Sequence, residues 1–125
     1  MSFGEPPELV ISGINQGGNL GTCVIYSGTV SAATEAAIMG LPAIAVSLNT
    51  FMNPDFSVAA AFIRRFVPLV QEKGLPEGVS LNINVPAIPE KDIRGAVVTK
   101  QGKSRVVETF DKRLDPRNNT YYWMA

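Results

Sequence analysis

Three short apolar runs, separated by two stretches of helical periodicity, frame this chain. Glu8 to Ser12 (ELVIS) is a brief run stopped at Gly13, Ala43 to Leu48 (AIAVSL) is almost continuously apolar, and Val79 to Val85 (VSLNINV) alternates with period two. Runs of this length, bounded by Gly or Pro, predict strands. Between the first two, the sequence from about Ser27 to Met39 is rich in Ala with apolar residues at helical spacing, and Gly40 followed by Pro42 marks a helix end. Between the second and third, Asp55 or Ser57 can cap a helix from about Ser57 to Lys73. It carries Ala60, Ile63, Val67 and Val70 on one side and is closed by Gly74. Ile93 to Gln101 predicts a fourth strand. Strands alternating with helices predict an α/β class built from βαβ units, a mostly parallel sheet covered by helices.

From Arg105 onward the pattern changes. RVVETFDKRLDPRNNTYYWMA is charged and aromatic, with turn signals at Asp115-Pro116 and Asn118-Asn119. It predicts a β-hairpin or extended arm in which Tyr121, Tyr122 and Trp123 offer an apolar face suited to another subunit. Residues 1–104 are therefore expected to form the α/β core and residues 105–125 the arm. The chain starts almost on one apolar strand and stops inside an aromatic one. A parallel core with bare edges is marginal, so these residues are expected to be part of a larger domain.

Composition narrows the function classes. Of 125 residues, 46% are hydrophobic and 18% charged, the balance of a packed domain rather than a disordered one. Eleven basic and eleven acidic residues cancel, giving no electrostatic footprint for duplex nucleic acid or a membrane surface. A single cysteine, Cys23, and no visible signal peptide or spanning segment fit a soluble cytoplasmic protein. No histidine is present, which removes Ser-His-Asp and Cys-His catalysis and His-based zinc sites from this chain.

The candidate chemistry lies in SGINQGGNLGTCVIYSGTV, residues 12–30, which hold five glycines and no charge. Ligands of open α/β sheets bind beyond the carboxyl ends of the strands, where loops enter helices. Ser27-Gly28-Thr29 opens the first helix there, so its main-chain N–H groups and hydroxyls can hold a phosphate. The other reading is that Ser27 or Thr29 only caps the helix. Asn15 can ligate a hard cation or donate to a phosphoryl oxygen, or be a plain turn residue; Asn19 has the same readings. Glu35 is read as a solvated or structural carboxylate. Asn82 and Asn84 share one strand face and look either toward the site entrance or onto a polar surface.

The run PELVISGINQGGNLGTCVIYSGTVSAATEAAIMGLPAIAVSL resembles the central block of the SurE (survival protein E) family, through SGIN, a glycine-rich NxG segment, YSGTV, AAxE and GxPAIAxSL in that order. LNINVP, VVTKQG and RxDPRxxxYYW extend the resemblance along nearly the whole chain. It implies a Rossmann-like core and a metal-dependent phosphatase of nucleoside 5′- and 3′-monophosphates, with some members trimming polyphosphate. It also implies a divalent cation, Mg²⁺ or Mn²⁺, and homo-dimers or tetramers formed through the arm. On the matching positions Asn15 becomes a metal ligand and Ser27, Gly28 and Thr29 line the phosphate site. Asn19, from its own chemistry, is a further candidate phosphate contact, and Asn15 and Ser27 are the candidate catalytic residues.

The family's strand ending in Asp-Asp-Gly, which holds its metal, has no counterpart here, and no two of the eleven carboxylates are adjacent. Cys23 stands where many members carry an acid. The expectation is thus half of an active site, the half that cradles phosphate and lends one neutral ligand. The alternative is a non-catalytic chain that binds phosphate or nucleotide, or pairs with a full-length subunit.

Overall fold

The computed structural model describes residues 4–104 and 107–124. Three parallel strands, β1 (Val10–Gln16), β2 (Ala43–Asn49) and β3 (Ser80–Pro86), form one sheet in that order, with β2 in the middle. The four-residue α1 (Cys23–Tyr26) and then α2 (Gly28–Ile38) connect β1 to β2, and α3 (Ser57–Lys73) connects β2 to β3. These are the two βαβ crossovers that the alternating pattern predicts.

The faces of β2 explain the layering. Ala43 and Ala45 pack with Val30, Ala33 and Ala36 of α2, small residues that let the helix lie close. Ile44, Val46 and Leu48 face the other way, onto α3. A strand covered on both faces needs apolar residues at nearly every position, which is why AIAVSL does not alternate. On α3 the core-facing residues are Ala59, Phe62, Ile63, Phe66 and Val70. The predicted stripe is therefore rotated: Ile63 and Val70 point inward, but Ala60 is exposed. The N-cap of α3 is Phe56, without a side-chain cap, rather than the predicted Asp55 or Ser57; the Asp55 carboxylate, one residue earlier, accepts from the Ser57 N–H at 2.9 Å.

The end of α2 is fixed as its sequence requires. The Gly40 N–H donates to Ala37 O at 3.0 Å and the Leu41 N–H to Ala36 O at 2.9 Å, a paired closure that needs the positive φ of +81° at Gly40.

Three boundaries differ from expectation. First, β1 does not stop at Gly13. The pairing with β2 shifts register between Ser12 and Asn15 and then resumes, so Asn15 lies within the strand, opposite Ser47. Gly13 has φ +132°, and a Cβ there would collide with the Val46 carbonyl oxygen; only glycine lets the strand pass this irregularity. Second, the loop expected over residues 13–29 is shortened by that strand and by α1. Third, Ile93–Gln101 is not a strand. Glu90–Asp92 is a 3₁₀ turn, Ile93 packs against Leu48, Ala59 and Val85, and residues 94–104 adopt no regular element. A strand needs a backbone partner, and among the described residues none lies alongside, which leaves Val97 and Val98 exposed.

In the predicted arm, β4 (Phe110–Leu114) and β5 (Thr120–Met124) form a separate antiparallel hairpin, exposed throughout. Arg105, Val106 and Ala125, also assigned to the arm, lie outside the described residues. Asp115 holds the turn by accepting from the Arg117 and Asn119 N–H groups, each at 2.8 Å. These hydrogen bonds, that of Asn119 foremost, hold its carboxyl below the usual value. The Arg113 guanidinium lies 5.1 Å from the centre of the Trp123 ring.

Candidate functional site

At the carboxyl end of the sheet, three polar residues stand in one register row across the strands: Asn15 on β1, Ser47 on β2 and Asn84 on β3. Residues in register on parallel strands present their side chains to the same face, here the face that α2 covers. The glycine-rich segment folds back over this row and then enters α2.

The Asn15 side chain links the strand to the helix. Its Nδ2 donates to Gly17 O at 2.7 Å and to Gln16 O at 3.1 Å, while its Oδ1 accepts from the Thr29 hydroxyl at 3.4 Å. Both amide hydrogens are thereby engaged, and the reverse orientation would set Oδ1 against two carbonyl oxygens. Asn15 therefore faces the helix entrance with an acceptor only. That polarity suits a cation and opposes direct donation to a phosphate, so the expected donor role of this amide is not supported by the geometry.

Ser27 is the N-cap of α2. Its φ of −81° and ψ of 117° are extended, its Oγ accepts from the Val30 N–H at 3.1 Å, and its carbonyl accepts the first helical bond from Ser31 at 2.9 Å. Capping does not exhaust the hydroxyl, since accepting from Val30 leaves the O–H free to donate outward. Capping and anion contact, weighed as rivals from sequence, are compatible in one residue. The Gly28 and Thr29 N–H groups, in the first turn, have no acceptor within the helix. Gly28 is exposed, and a Cβ added to it would meet nothing within 4 Å. Nothing among the described residues demands glycine there, and the space beside its backbone is open to a ligand.

Asn19 belongs to the support beneath. It is 6% exposed, its Nδ2 donates to Ser47 Oγ at 2.6 Å, and Ser47 is completely buried. One of its two amide hydrogens is thus engaged inside the protein, beneath the turn rather than at its surface. Asn82, exposed, and Asn84, half-buried, hold the main chain of Asn19, with distances of 2.8–3.2 Å. The far end of the segment is fastened too. Gln101 Nε2 donates to Gly21 O at 2.9 Å, and the Thr22 N–H donates to Ser104 O at 2.9 Å. Sequence reasoning missed this support, although Ser47 was visible as a lone hydroxyl in an apolar strand and Asn82 and Asn84 as a period-two pair. Glu35 lies on the exposed side of α2.

Asn15 brings one neutral oxygen, and among the described residues no three His, Cys, Asp or Glu side chains gather where a metal ion could sit. Divalent magnesium or manganese requires several oxygen donors, carboxylates among them. The residues described thus do not fit a cation held by this chain alone.

Comparison with known proteins adds the lineage. The family model described as Survival protein SurE matches residues 1–108. A protein of Syntrophobacter fumaroxidans named 5′-nucleotidase SurE is 54% identical over 120 residues, covering 96% of this chain and 48% of the relative. One of Gloeobacter violaceus with the same name is 55% identical over 123 residues, 98% of this chain and 47% of the relative. The solved SurE protein of Aquifex aeolicus superimposes with a TM-score of 0.79 at 42% identity, over 97% of this chain and 49% of that one. The chain spans about half the length of the relatives it matches, as the bare core had suggested. The ordered motifs, the parallel sheet with its helix-entrance turn and the family match agree: this chain belongs to the SurE family.

Proposed function

We propose that this chain forms the phosphate-binding half of a metal-dependent phosphomonoester hydrolase of the 5′/3′-nucleotidase type, acting on nucleoside monophosphates. The observation that carries the reading is the turn at Ser27–Thr29. An outward hydroxyl, two main-chain N–H groups without helical partners and an open approach over Gly28 converge at the positive end of an eleven-residue helix. The names of the relatives, 5′-nucleotidase SurE, support phosphomonoester chemistry at this turn.

In this reading Ser27, Gly28 and Thr29 hold and orient the phosphoryl oxygens and stabilise negative charge on them. Asn15 offers its Oδ1 as one ligand of a divalent cation, Mg²⁺ or Mn²⁺, which when bound supplies charge neutralisation. The remaining ligands must be carboxylates that the described residues do not assemble, and no step is drawn through the ion. The exposed Tyr121, Tyr122 and Trp123 of the hairpin support assembly into homo-dimers or tetramers. One cysteine, and no helix among the described residues long and apolar enough to cross a membrane, support a cytoplasmic setting.

The test is binding and phosphate release measured on the same purified chain. Inorganic phosphate and 5′-AMP should bind with comparable affinity, adenosine should not, and no phosphate should be released from 5′-AMP with or without Mn²⁺. Metal-dependent release would show that this chain completes the site by itself and would refute the half-site reading. Failure of both phosphate and 5′-AMP to bind a folded sample would refute the phosphate site.

A further inference from the structure

The two β3 asparagines make an unusual grip on the loop. Asn84 Oδ1 accepts from the Asn19 N–H at 2.8 Å, and Asn84 Nδ2 donates to the Asn19 carbonyl at 3.2 Å. One side-chain amide thus takes both main-chain groups of a residue 65 positions away, as a neighbouring strand would. Asn82 Nδ2 adds a second donor to the same carbonyl at 2.9 Å, and Asn84 Nδ2 lies 3.4 Å from Asn82 Oδ1. From below, Ser47 accepts from the Asn19 side chain at 2.6 Å.

Two residues before this grip lies Gly17, whose N–H donates to Leu48 O at 2.9 Å and whose carbonyl accepts from Asn15. The direction of that carbonyl decides which way the Asn15 amide turns. We infer that Asn84, with Asn82, is a positioning residue for Asn15: by fixing Asn19 it fixes the Gly17 carbonyl, which aims Asn15 Oδ1 at the entrance of α2. What Asn15 does once aimed rests on the phosphate-site reading above; the aiming itself does not.

Side-chain amides suit this task. They supply donor and acceptor together without charge, and the residue they hold, Asn19, is buried with the wholly buried Ser47 beneath it, where an unpaired polar group is costly. A carboxylate at position 84 would present a second acceptor to the Asn19 carbonyl, and an aliphatic residue would leave the Asn19 N–H unpaired and its carbonyl held by Asn82 alone.

The test reads the Asn15 side chain directly by NMR in the full 125-residue chain. In the native chain both Nδ2 protons should be shifted downfield and protected from solvent exchange. In Asn84→Ala their exchange should accelerate about tenfold, the change expected for one ordinary hydrogen bond. The Ile44 and Val46 amides of the central strand should keep their protection, which a general loss of structure would not allow. Unchanged Asn15 signals in a folded Asn84→Ala chain would overturn the inference. Should that variant fail to fold, Asn82→Ala removes one of two donors to the Asn19 carbonyl and must shift the Asn15 signals in the same direction; no shift there would overturn it equally. Inorganic phosphate added to the native chain separates the two claims. Asn15 signals that respond to Asn84→Ala, with Gly28 and Thr29 amides indifferent to phosphate, would uphold the positioning and refute the phosphate site.

Discussion

The uncharged run from Ser12 to Val30 divides into two parts of similar composition and opposite fate. Gly17 to Thr22 is tied down, with Gly17 bonded to β2, Asn19 to β2 and β3, and Gly21 and Thr22 to residues 101–104. Tyr26 to Thr29 is left open: Tyr26 and Gly28 are exposed, and the first helical N–H groups face outward. Glycine, asparagine and hydroxyl side chains serve both parts. Their hydrogen-bond partners separate the scaffold from the proposed site, and partners are a property of the tertiary fold.

The comparison yields predictions that differ in kind as well as size. The largest effect belongs to the irregularity beneath the loop. Gly13→Ala should cost about 3 kcal/mol or more by chemical denaturation, because a Cβ at φ +132° runs into the Val46 carbonyl. A loss below about 1 kcal/mol would mean that β1 can straighten at little cost. Within the fastened part, Asn19→Ala strands the buried Ser47 hydroxyl and should cost about 1–3 kcal/mol. Its effect on phosphate affinity should follow only from the shifted loop, so a near-native Tm with abolished phosphate binding would return Asn19 to the site itself.

The open part should behave in the opposite sense. Ser27→Ala should cost about 1 kcal/mol through the lost cap and should weaken phosphate binding as well. Gly28→Ala separates the two properties most cleanly. At an unstrained helical position with open space beside it, alanine should leave stability unchanged or raise it by up to about 1 kcal/mol. Phosphate affinity should nevertheless fall, since the methyl group occupies the approach; equal or tighter binding would exclude contact over Gly28.

The smallest effect lies in the hairpin. Asp115 has a carboxyl held below its ordinary value by Asn119, so its contribution is complete above about pH 4 and disappears as pH falls through the lower folded value. The Arg117 and Asn119 amide signals should therefore stay in place until below pH 4 and then move together, with no accompanying change in the core sheet.

Much of the fold was legible because each element carries a local reason. Two-sided burial makes AIAVSL apolar, Gly40 and Pro42 stop α2, and Asp115 and Asn118 announce the hairpin turn. The predicted strand at Ile93–Gln101 failed because β-branched residues favour extended backbone while pairing depends on a neighbour. The turn at Ser27-Gly28-Thr29 before a helix was legible, and so was the place of Asn15 near a strand end; the anion role given to that turn is the proposal made above. The polarity of Asn15 was not, for it depends on a carbonyl two residues along. The roles of Asn82 and Asn84 were hidden for a related reason: their partner lies more than sixty residues away, and a polar pair on one strand face looks the same over solvent or over a loop.

The most direct test of the central claim is a titration of the labelled chain with inorganic phosphate, following main-chain amides residue by residue. The account predicts saturable downfield movement of Gly28 and Thr29 that is weakened by Ser27→Ala, while Gly17 to Thr22 stay still. Saturable shifts centred on the fastened part, or none at Gly28 and Thr29 in a folded sample, would contradict it.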